Sequence, residues 1–271
     1  SYKISNIKLK GEQVAYLKLN PIVPDLPPID VKFFHSEQMA KTAFKLGEIS
    51  LLDELSDPQP FTDWKTVEVR DTVNYQRYIG ILFNTDDPIL KTKEFRQGLV
   101  YAIVKPEKNR VLTSLSRKSW AYTQRVKAYE QDFDMAKKLL GTIEENSFTL
   151  TLSTFPQYRD LANSIAQNWS SVGVKTEVKM GDTVPEAYQV ILITQEIPTD
   201  PDQYPLWHST QVETNLTHYS NPKIDKLLEE GRKEVDTEKR KKIYYDFQRY
   251  LVEDAPAAFL FGYGFLMFLY W

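Results

Sequence analysis

Cysteine is absent from this sequence of 271 residues, and glycine and histidine are scarce, with 10 and 3 copies. Without cysteine the chain forms no disulfide, no thiolate metal site and no cysteine nucleophile. The few glycines argue against a phosphate-binding glycine loop, and the sequence contains no H-E-x-x-H or G-x-S-x-G motif. It therefore carries none of these catalytic signatures. The compartment stays open, because exported bacterial proteins also lack cysteine.

An excess of positive charge is also missing. The formal net charge is −3 and the sequence pI is about 5.8, whereas binding to nucleic acid or anionic lipid needs a local surplus of Lys and Arg. The basic run 239–242 has Glu234, Asp236 and Glu238 as neighbours, which favours a solvated helix face over a nucleic-acid patch. We expect no nucleic-acid partner. With 42% hydrophobic and 26% charged residues, the chain reads as globular, with one large core or two modest ones.

The two ends of the sequence carry no targeting or spanning segment that we recognise. No charged-then-apolar leader follows Ser1, so we expect any export signal to have been removed or to lie outside this sequence. The last stretch, 257–271, is almost wholly apolar but contains Gly262 and Gly264, and it is shorter than the roughly 20 residues of a membrane span. We expect a buried strand or strand pair there.

Hydrophobic periodicity predicts an α/β fold. Up to about residue 72 the pattern is that of short strands and one helix over 36–46, capped by Ser36 and ended by Gly47. Stretches 148–153, 174–180 and 188–194 predict strands, with a helix over 158–172 between the first two. A strand–helix–strand unit with short links predicts parallel pairing. Two helices follow, one starting at Asn221-Pro222 and one at Thr237.

Ligands of such sheets bind beyond the carboxyl ends of the strands, and the segment leaving the last strand is 195–209. Our candidate ligand-binding residues in it are Gln195, Glu196, Asp200, Asp202, Trp207 and His208. Asp200 and Asp202 alternatively brace the loop through backbone N–H groups, as Asp does in turns. Trp207 is either a core plug or the wall of a ligand groove.

Other functions of this loop also stay open. Asp200, Asp202 and His208 together would suit a hydrolase, if their side chains converged on one cleft. His208 and His218 with Asp202 would suit a metal site, although their spacing matches no known ligand motif. A third alternative is a protein-docking module with an exposed aromatic surface. We expect no cofactor and no metal.

Several motifs in one order resemble the peptide/nickel type of extracellular solute-binding protein that serves ABC importers. They are G-E-I at 47–49, the passage ILFNTDDPILKTKEFRQGLVYAI at 81–103, D-P-D-x-Y-x-x-W-H-S at 200–209, N-x-x-x-Y-x-N-P-x-I-D-x-L-L at 215–228 and R-x-x-x-Y-x-x-F-Q-x-x-L-x-E-D-x-P-A-x-F-L at 240–260. The resemblance implies a periplasmic-binding-protein-like lobe, a mixed βαβ sheet flanked by helices, plus part of a second lobe. Relatives are about twice this long, so we expect a later half.

The resemblance also implies a domain division and two more site residues. We expect a partial first-lobe segment at 1–72, the second, ligand-binding lobe at 73–256 and a return strand to the first lobe at 257–271. Tyr78 and Asn84 lie on the crossover between the lobes, where a trapped ligand would be touched; Asn84 is alternatively a turn residue. Ile197 stands where peptide-binding relatives carry an Asp for the peptide's amino group, so Glu196 or Asp200 would have to replace it.

The function implied by the resemblance is binding without catalysis. An oligopeptide or similar small polar solute would be captured between two lobes by hinge closure and delivered to ABC permease subunits. The protein would be a monomer in the periplasm or on the extracellular face of the cell membrane, held by a lipid anchor outside this sequence.

Overall fold

The computed structural model describes residues 1–55, 59–105, 109–141 and 148–270, with the side chains of these ranges except those at 53, 54, 71, 72 and 263–270. The chain divides into two compact units. Unit 1 comprises residues 1–72 and 264–271, and unit 2 comprises residues 73–263. The division at 72 and 256 expected from the sequence stays a prediction about the lobes of the complete protein.

Unit 1 contains short strands and one helix, as predicted. Strands β1 (Tyr2–Lys10), β2 (Gln13–Pro21) and β3 (Ile29–Lys32) form an antiparallel sheet. Helix α1 (Glu37–Lys45) is capped by the Ser36 hydroxyl, which accepts a hydrogen bond from the Met39 N–H, and Gly47 follows it with φ of 72°. A left-handed residue after the last turn suits glycine, so both ends of α1 are confirmed.

One more strand belongs to unit 1, and two long strands cross the sequence boundaries between the units at 72 and 263. Strand β4 (Leu51–Leu55) pairs antiparallel with the far end of β9 (Ala257–Tyr270), and β5 (Val67–Phe83) enters unit 2. The prediction of a terminal strand is confirmed, as one long strand. No helix in the described ranges is long and apolar enough to cross a bilayer.

The sheet of unit 2 has the order β9-β5-β8-β6-β7 and is mixed. Strands β6 (Leu150–Thr154), β7 (Thr176–Met180) and β8 (Val190–Glu196) are mutually parallel where they pair, and β5 runs antiparallel to β8. Helix α4 (Arg159–Ser170) connects β6 to β7, which confirms the βαβ unit and the α/β class. Gln195 and Glu196 belong to β8 rather than to the loop after it.

The helices of unit 2 bury one face each against this sheet or against each other. They are α2 (Lys93–Ala102), α3 (Phe133–Leu140), α4, α5 (Tyr204–Trp207), α6 (Pro222–Lys233) and α7 (Thr237–Asp254). Leu150 and Leu152 of β6 join Ile165 and Trp169 of α4 in the core. The one-turn helix α5 was not predicted, because four residues are too few for a periodic signal.

The buried face of α7 differs from the predicted one. The apolar pattern favoured Ile243, Phe247, Tyr250 and Leu251, but α7 turns so that Tyr244 and Gln248 are fully buried with Phe247 and Leu251. Gln248 is accommodated because its amide is hydrogen-bonded: Nε2 donates to the carbonyls of Ala121 and Tyr244, and Oε1 accepts from the Thr123 N–H. A saturated amide can be buried at little cost.

The close approach of α2 and α3 generates a stability prediction. A Cβ built on Gly98 lies 2.8 Å from Leu140 Cγ and 3.1 Å from the Ala136 carbonyl oxygen. Gly98→Ala gains about 1 kcal/mol of helix propensity but overpacks the contact by about 1–3 kcal/mol. We expect a net loss in the free energy of unfolding, measured by urea denaturation. The matched control Gly181→Ala, whose Cβ meets nothing closer than 3.5 Å, should be near neutral; equal effects would contradict the packing account.

Candidate functional site

Asp200 and Asp202 tie the loop after β8 to the two helices that follow it. Both oxygens of Asp200 accept hydrogen bonds from the Arg240 guanidinium of α7, at 2.6 and 2.9 Å. Asp202 Oδ2 accepts one from Arg232 Nε of α6 at 2.8 Å, and each carboxylate also accepts a backbone N–H two residues on. Hydrogen bonds from Arg240 hold the pKa of Asp200 below its usual value. Asp200 and Asp202 therefore both brace the loop, as one of the two alternatives for these residues predicted.

Trp207 and His208 lie in the interior of unit 2. The Trp207 side chain is 2% exposed, and its Nε1–H donates to Gln203 Oε1 at 3.2 Å. The Tyr204 ring stacks on the His208 imidazole with a centroid distance of 4.0 Å. His208 Nδ1 accepts from the Thr210 N–H, and Nε2 lies 3.6 Å from Glu229. Trp207 is thus the core plug of the two alternatives, and neither side chain has a surface for a solute in this structure.

The remaining motif residues fix the rest of the loop. Asp225 of α6 accepts hydrogen bonds from the backbone N–H and the hydroxyl of Ser209, at 2.9 and 2.6 Å. The buried Asn215 amide donates to the Tyr219 carbonyl, and Asn221 caps α6 by accepting from the Lys223 N–H. The motifs at 200–209 and 215–228 therefore form one hydrogen-bonded brace.

The acid–imidazole arrangement of the hydrolase alternative is not formed. Asp200 binds Arg240 and Asp202 binds Arg232, whereas His208 binds Thr210 and faces Glu229. With each group engaged elsewhere, the three do not converge on one cleft. The metal alternative also lacks its geometry, since no group of three or more His, Cys, Asp or Glu side chains in the described ranges is placed to hold an ion.

Tyr78 and Asn84 lie at opposite ends of the pairing between β5 and β8. The antiparallel register pairs Tyr78 with Gln195 at one end of β8 and Phe83 with Val190 at the other, a separation of roughly 17 Å at 3.4 Å per residue. Asn84 Nδ2 donates to the Tyr188 carbonyl and its Oδ1 accepts from the Asp86 N–H, as in the turn alternative. Tyr78 is buried, and burial raises the pKa of its hydroxyl.

The carboxyl end of β8 is where candidate residues remain accessible. Glu196, with a side chain 74% exposed, pairs with Arg77 of the neighbouring β5 at 3.0 Å, and the half-buried Gln195 precedes it on the opposite face of the strand. Gln76 Nε2 donates to the Thr199 hydroxyl at 3.0 Å, which joins β5 to the loop. Ile197 is buried in the core and offers no charge. We call Gln76, Arg77, Gln195, Glu196 and Thr199 the strand-end cluster.

The sequence did not reveal Gln76, Arg77 and Thr199 as members of this cluster. Arg77 and Gln76 stand about 120 positions before their partners, and only the antiparallel register of β5 and β8 brings them there. The alternating apolar and polar pattern of β5 was one available signal in the sequence. Residues of β5 that pair with the last positions of β8 lie at the same edge of the sheet.

The chain belongs to the bacterial extracellular solute-binding proteins, family 5, whose model matches residues 8–214. It is 23% identical to the oligopeptide-binding protein AppA of Bacillus subtilis, over 88% of this chain and 51% of AppA. It spans about half the length of the curated relatives it matches.

Solved structures share the fold. The ABC transporter substrate-binding protein CtaP of Listeria monocytogenes matches 99% of this chain and 60% of its own, with a TM-score of 0.83 and 25% identity. NikZ of Campylobacter jejuni, in complex with Ni(L-His), matches 99% of this chain and 62% of its own, with a TM-score of 0.83 and 23% identity. The periplasmic-binding-protein-like class expected from the motifs is confirmed.

The brace predicts a pH-dependent contribution to stability. Because the pKa of Asp200 is lowered in the folded state, its contribution is present above the unfolded-state pKa and is lost as the pH falls through the folded-state pKa. Asp200 is more than half exposed, so Asp200→Asn should cost no more than about 1 kcal/mol at pH 7. Urea denaturation at pH 7 and at about pH 2.5 measures the difference.

The control is Glu213→Gln, which removes an exposed carboxylate from the same loop. We expect it to be neutral at both pH values, and Asp200→Asn to approach the parent stability at the lower one. A loss for Asp200→Asn that persists unchanged in acid would contradict the ion-pair account.

Proposed function

We propose that this chain is part of the substrate-binding component of an ABC importer. In the complete protein it captures an oligopeptide or a similar small polar solute by hinge closure and changes no covalent bond. The observation that carries the proposal is the family match over 8–214. The relative AppA is named as an oligopeptide-binding protein, and the engagement of Asp200, Asp202 and His208 in separate contacts argues against hydrolysis.

We assign the solute contacts of unit 2 to the strand-end cluster. Its position supports the assignment, since ligands of open α/β sheets bind outside the carboxyl ends of the strands. Its chemistry supports it as well: Glu196 supplies an exposed carboxylate for an ammonium group, Arg77 a guanidinium for a carboxylate, and Gln195 an amide for a peptide group. The brace holds the loop beside the cluster, so these groups are positioned before a solute arrives.

Partners and location follow from the same proposal. ABC permease subunits receive the solute, and the protein acts as a monomer in the periplasm or on the extracellular face of the cell membrane, where family members are extracellular binding proteins. A lipid anchor outside this sequence would hold it there.

The test uses thermal unfolding of the longest form of the protein that the gene encodes, with a library of di- to nonapeptides. A ligand that binds only the folded state stabilises it, by about 2.7 kcal/mol at a concentration of 100 times Kd. We expect a subset of peptides to raise Tm. Ni(L-His) is measured in parallel with the library. A library that leaves Tm unchanged, or a rise in Tm with Ni(L-His) alone, would overturn the peptide proposal.

A pair of variants tests the assigned contacts. Glu196→Gln removes the exposed carboxylate of the cluster, and a hydrogen bond to a charged group is worth about 1.5–3 kcal/mol, so Kd for the best peptide should rise at least tenfold by calorimetry. Glu213→Gln, which is also exposed but lies in the loop, should bind as the parent does. If both variants bind alike, the strand-end cluster is not the contact site.

A further inference from the structure

A second site lies under the connection between β7 and β8. Because these parallel strands flank β6, residues 181–189 cross one face of the sheet. They line a partly open cavity of about 460 Å³ against that face. The volume is within the range of about 300–1,000 Å³ for small-molecule sites.

The floor of the cavity is formed by β6 and β7 and presents hydrogen-bond donors. Thr151 and Ser153 alternate with the buried Leu150 and Leu152 and line the cavity. Ser153 pairs with Lys179 across the sheet, so both side chains lie on this face. In the described ranges neither the Thr151 nor the Ser153 hydroxyl has a hydrogen-bond partner. Ser153 is only 6% exposed, so its free hydroxyl faces the cavity.

Most acceptor sites of the rim carboxylate, Asp87, are already used. Asp87 Oδ1 accepts from the Ile89 and Leu90 N–H groups at 2.9 and 3.2 Å, and Oδ2 accepts from Gln189 Nε2 at 3.0 Å. Gln189 Oε1 accepts from the Thr151 N–H at 2.8 Å. This chain of bonds positions the rim and uses three of the roughly four acceptor sites of the Asp87 carboxylate. The polar groups left to bind an anion are the Lys179 ammonium and the Thr151 and Ser153 hydroxyls, which can donate to it.

The opposite wall is apolar. Met180, Pro185, Ala187 and the ring of Tyr188 line it, and the Tyr188 hydroxyl is turned away to the Leu216 carbonyl. The Lys179 ammonium stands at the mouth with a side chain 59% exposed and lies 3.5 Å from Glu177. Exposed pairs of this kind contribute about 1 kcal/mol or less, so an incoming anion can displace Glu177.

We propose that this cavity binds a small organic acid of amino-acid to dipeptide size. Its carboxylate would accept hydrogen bonds from Lys179 and the Ser153 hydroxyl, while its apolar body packs against Pro185 and the Tyr188 ring. An amine would meet the like charge of Lys179, and the lining carboxylate, Asp87, is already hydrogen-bonded to three N–H groups. A long peptide exceeds the volume. The lining residue Thr154 pairs with Leu192, which is four positions before Glu196 on β8, roughly 13 Å at 3.3 Å per residue, so this site is distinct from the strand-end cluster.

The test is calorimetric titration of the chain with N-acetylphenylalanine and with its neutral amide. We expect the acid to bind and the amide to bind at least tenfold more weakly, since hydrogen bonds to a charged group contribute about 1.5–3 kcal/mol. Equal affinities for the acid and the amide would overturn the proposal. So would the absence of binding heat when the acid concentration is about 20 times a millimolar Kd, the affinity of a weak small ligand.

Variants locate the binding. Lys179→Met removes the ammonium from an exposed position and should weaken the acid at least fivefold, whereas Lys175→Met, just before the same strand and outside the cavity lining, should leave it unchanged. Ala187→Trp places an indole ring in the cavity from an exposed position on its rim and should abolish binding. Because Ala187 is exposed, the larger side chain should not strain the core. Glu196→Gln should have no effect here. An acid that loses affinity with Arg77→Met and not with Lys179→Met binds at the strand-end cluster, which would contradict this site alone.

Discussion

Three carboxylates fix the path of the loop between β8 and α6, and the rest of the site depends on them. Asp200 binds Arg240, Asp202 binds Arg232, and Asp225 binds Ser209. Each bond joins the loop to a helix that is itself packed in the core. A connection of 25 residues would otherwise be free to move, at a large entropy cost on binding. Because the loop is held, the exposed groups at the end of β8 keep one geometry.

This arrangement separates the residues that build the site from those that can contact a solute. The aromatic and polar motif residues make their hydrogen bonds inside unit 2. Trp207 bonds to Gln203, His208 to Thr210 and Asn215 to Tyr219. Glu196 and Gln195 are outside this network and face solvent to different degrees. Under the proposed function, solute preference would change at the strand end while the brace is kept. The solved structures of AppA with a nonapeptide and of NikZ with Ni(L-His) share this fold.

Local signals predicted the fold well. Asn221-Pro222 marked the start of α6 and Ser36 that of α1, because capping is decided within a few residues. The continuous apolar run of β8 and the helix before β7 were enough for the βαβ unit. The face of α7 was predicted wrongly where a polar residue is buried: Gln248 is saturated by Ala121 and Thr123, more than 120 positions away, and no local pattern contains that partner.

The site was harder to predict for the same physical reason. Residue type alone does not separate a carboxylate that pairs with a distant arginine, such as Asp200, from one that stays exposed, such as Glu196. The direct pairing of Glu196 with Arg77 depends on strand register. The sequence therefore predicted a site at the carboxyl end of β8, while the partners of its residues required the tertiary structure.

Amide hydrogen exchange with and without a bound peptide tests the central claim most directly. The account predicts slower exchange than in the free protein at residues 76–77, 195–197 and 199, with exchange in 203–209 already slow in the free protein and unchanged by the peptide. Fast exchange at 203–209 in the free protein that becomes protected on binding, with none gained at 195–199, would contradict it.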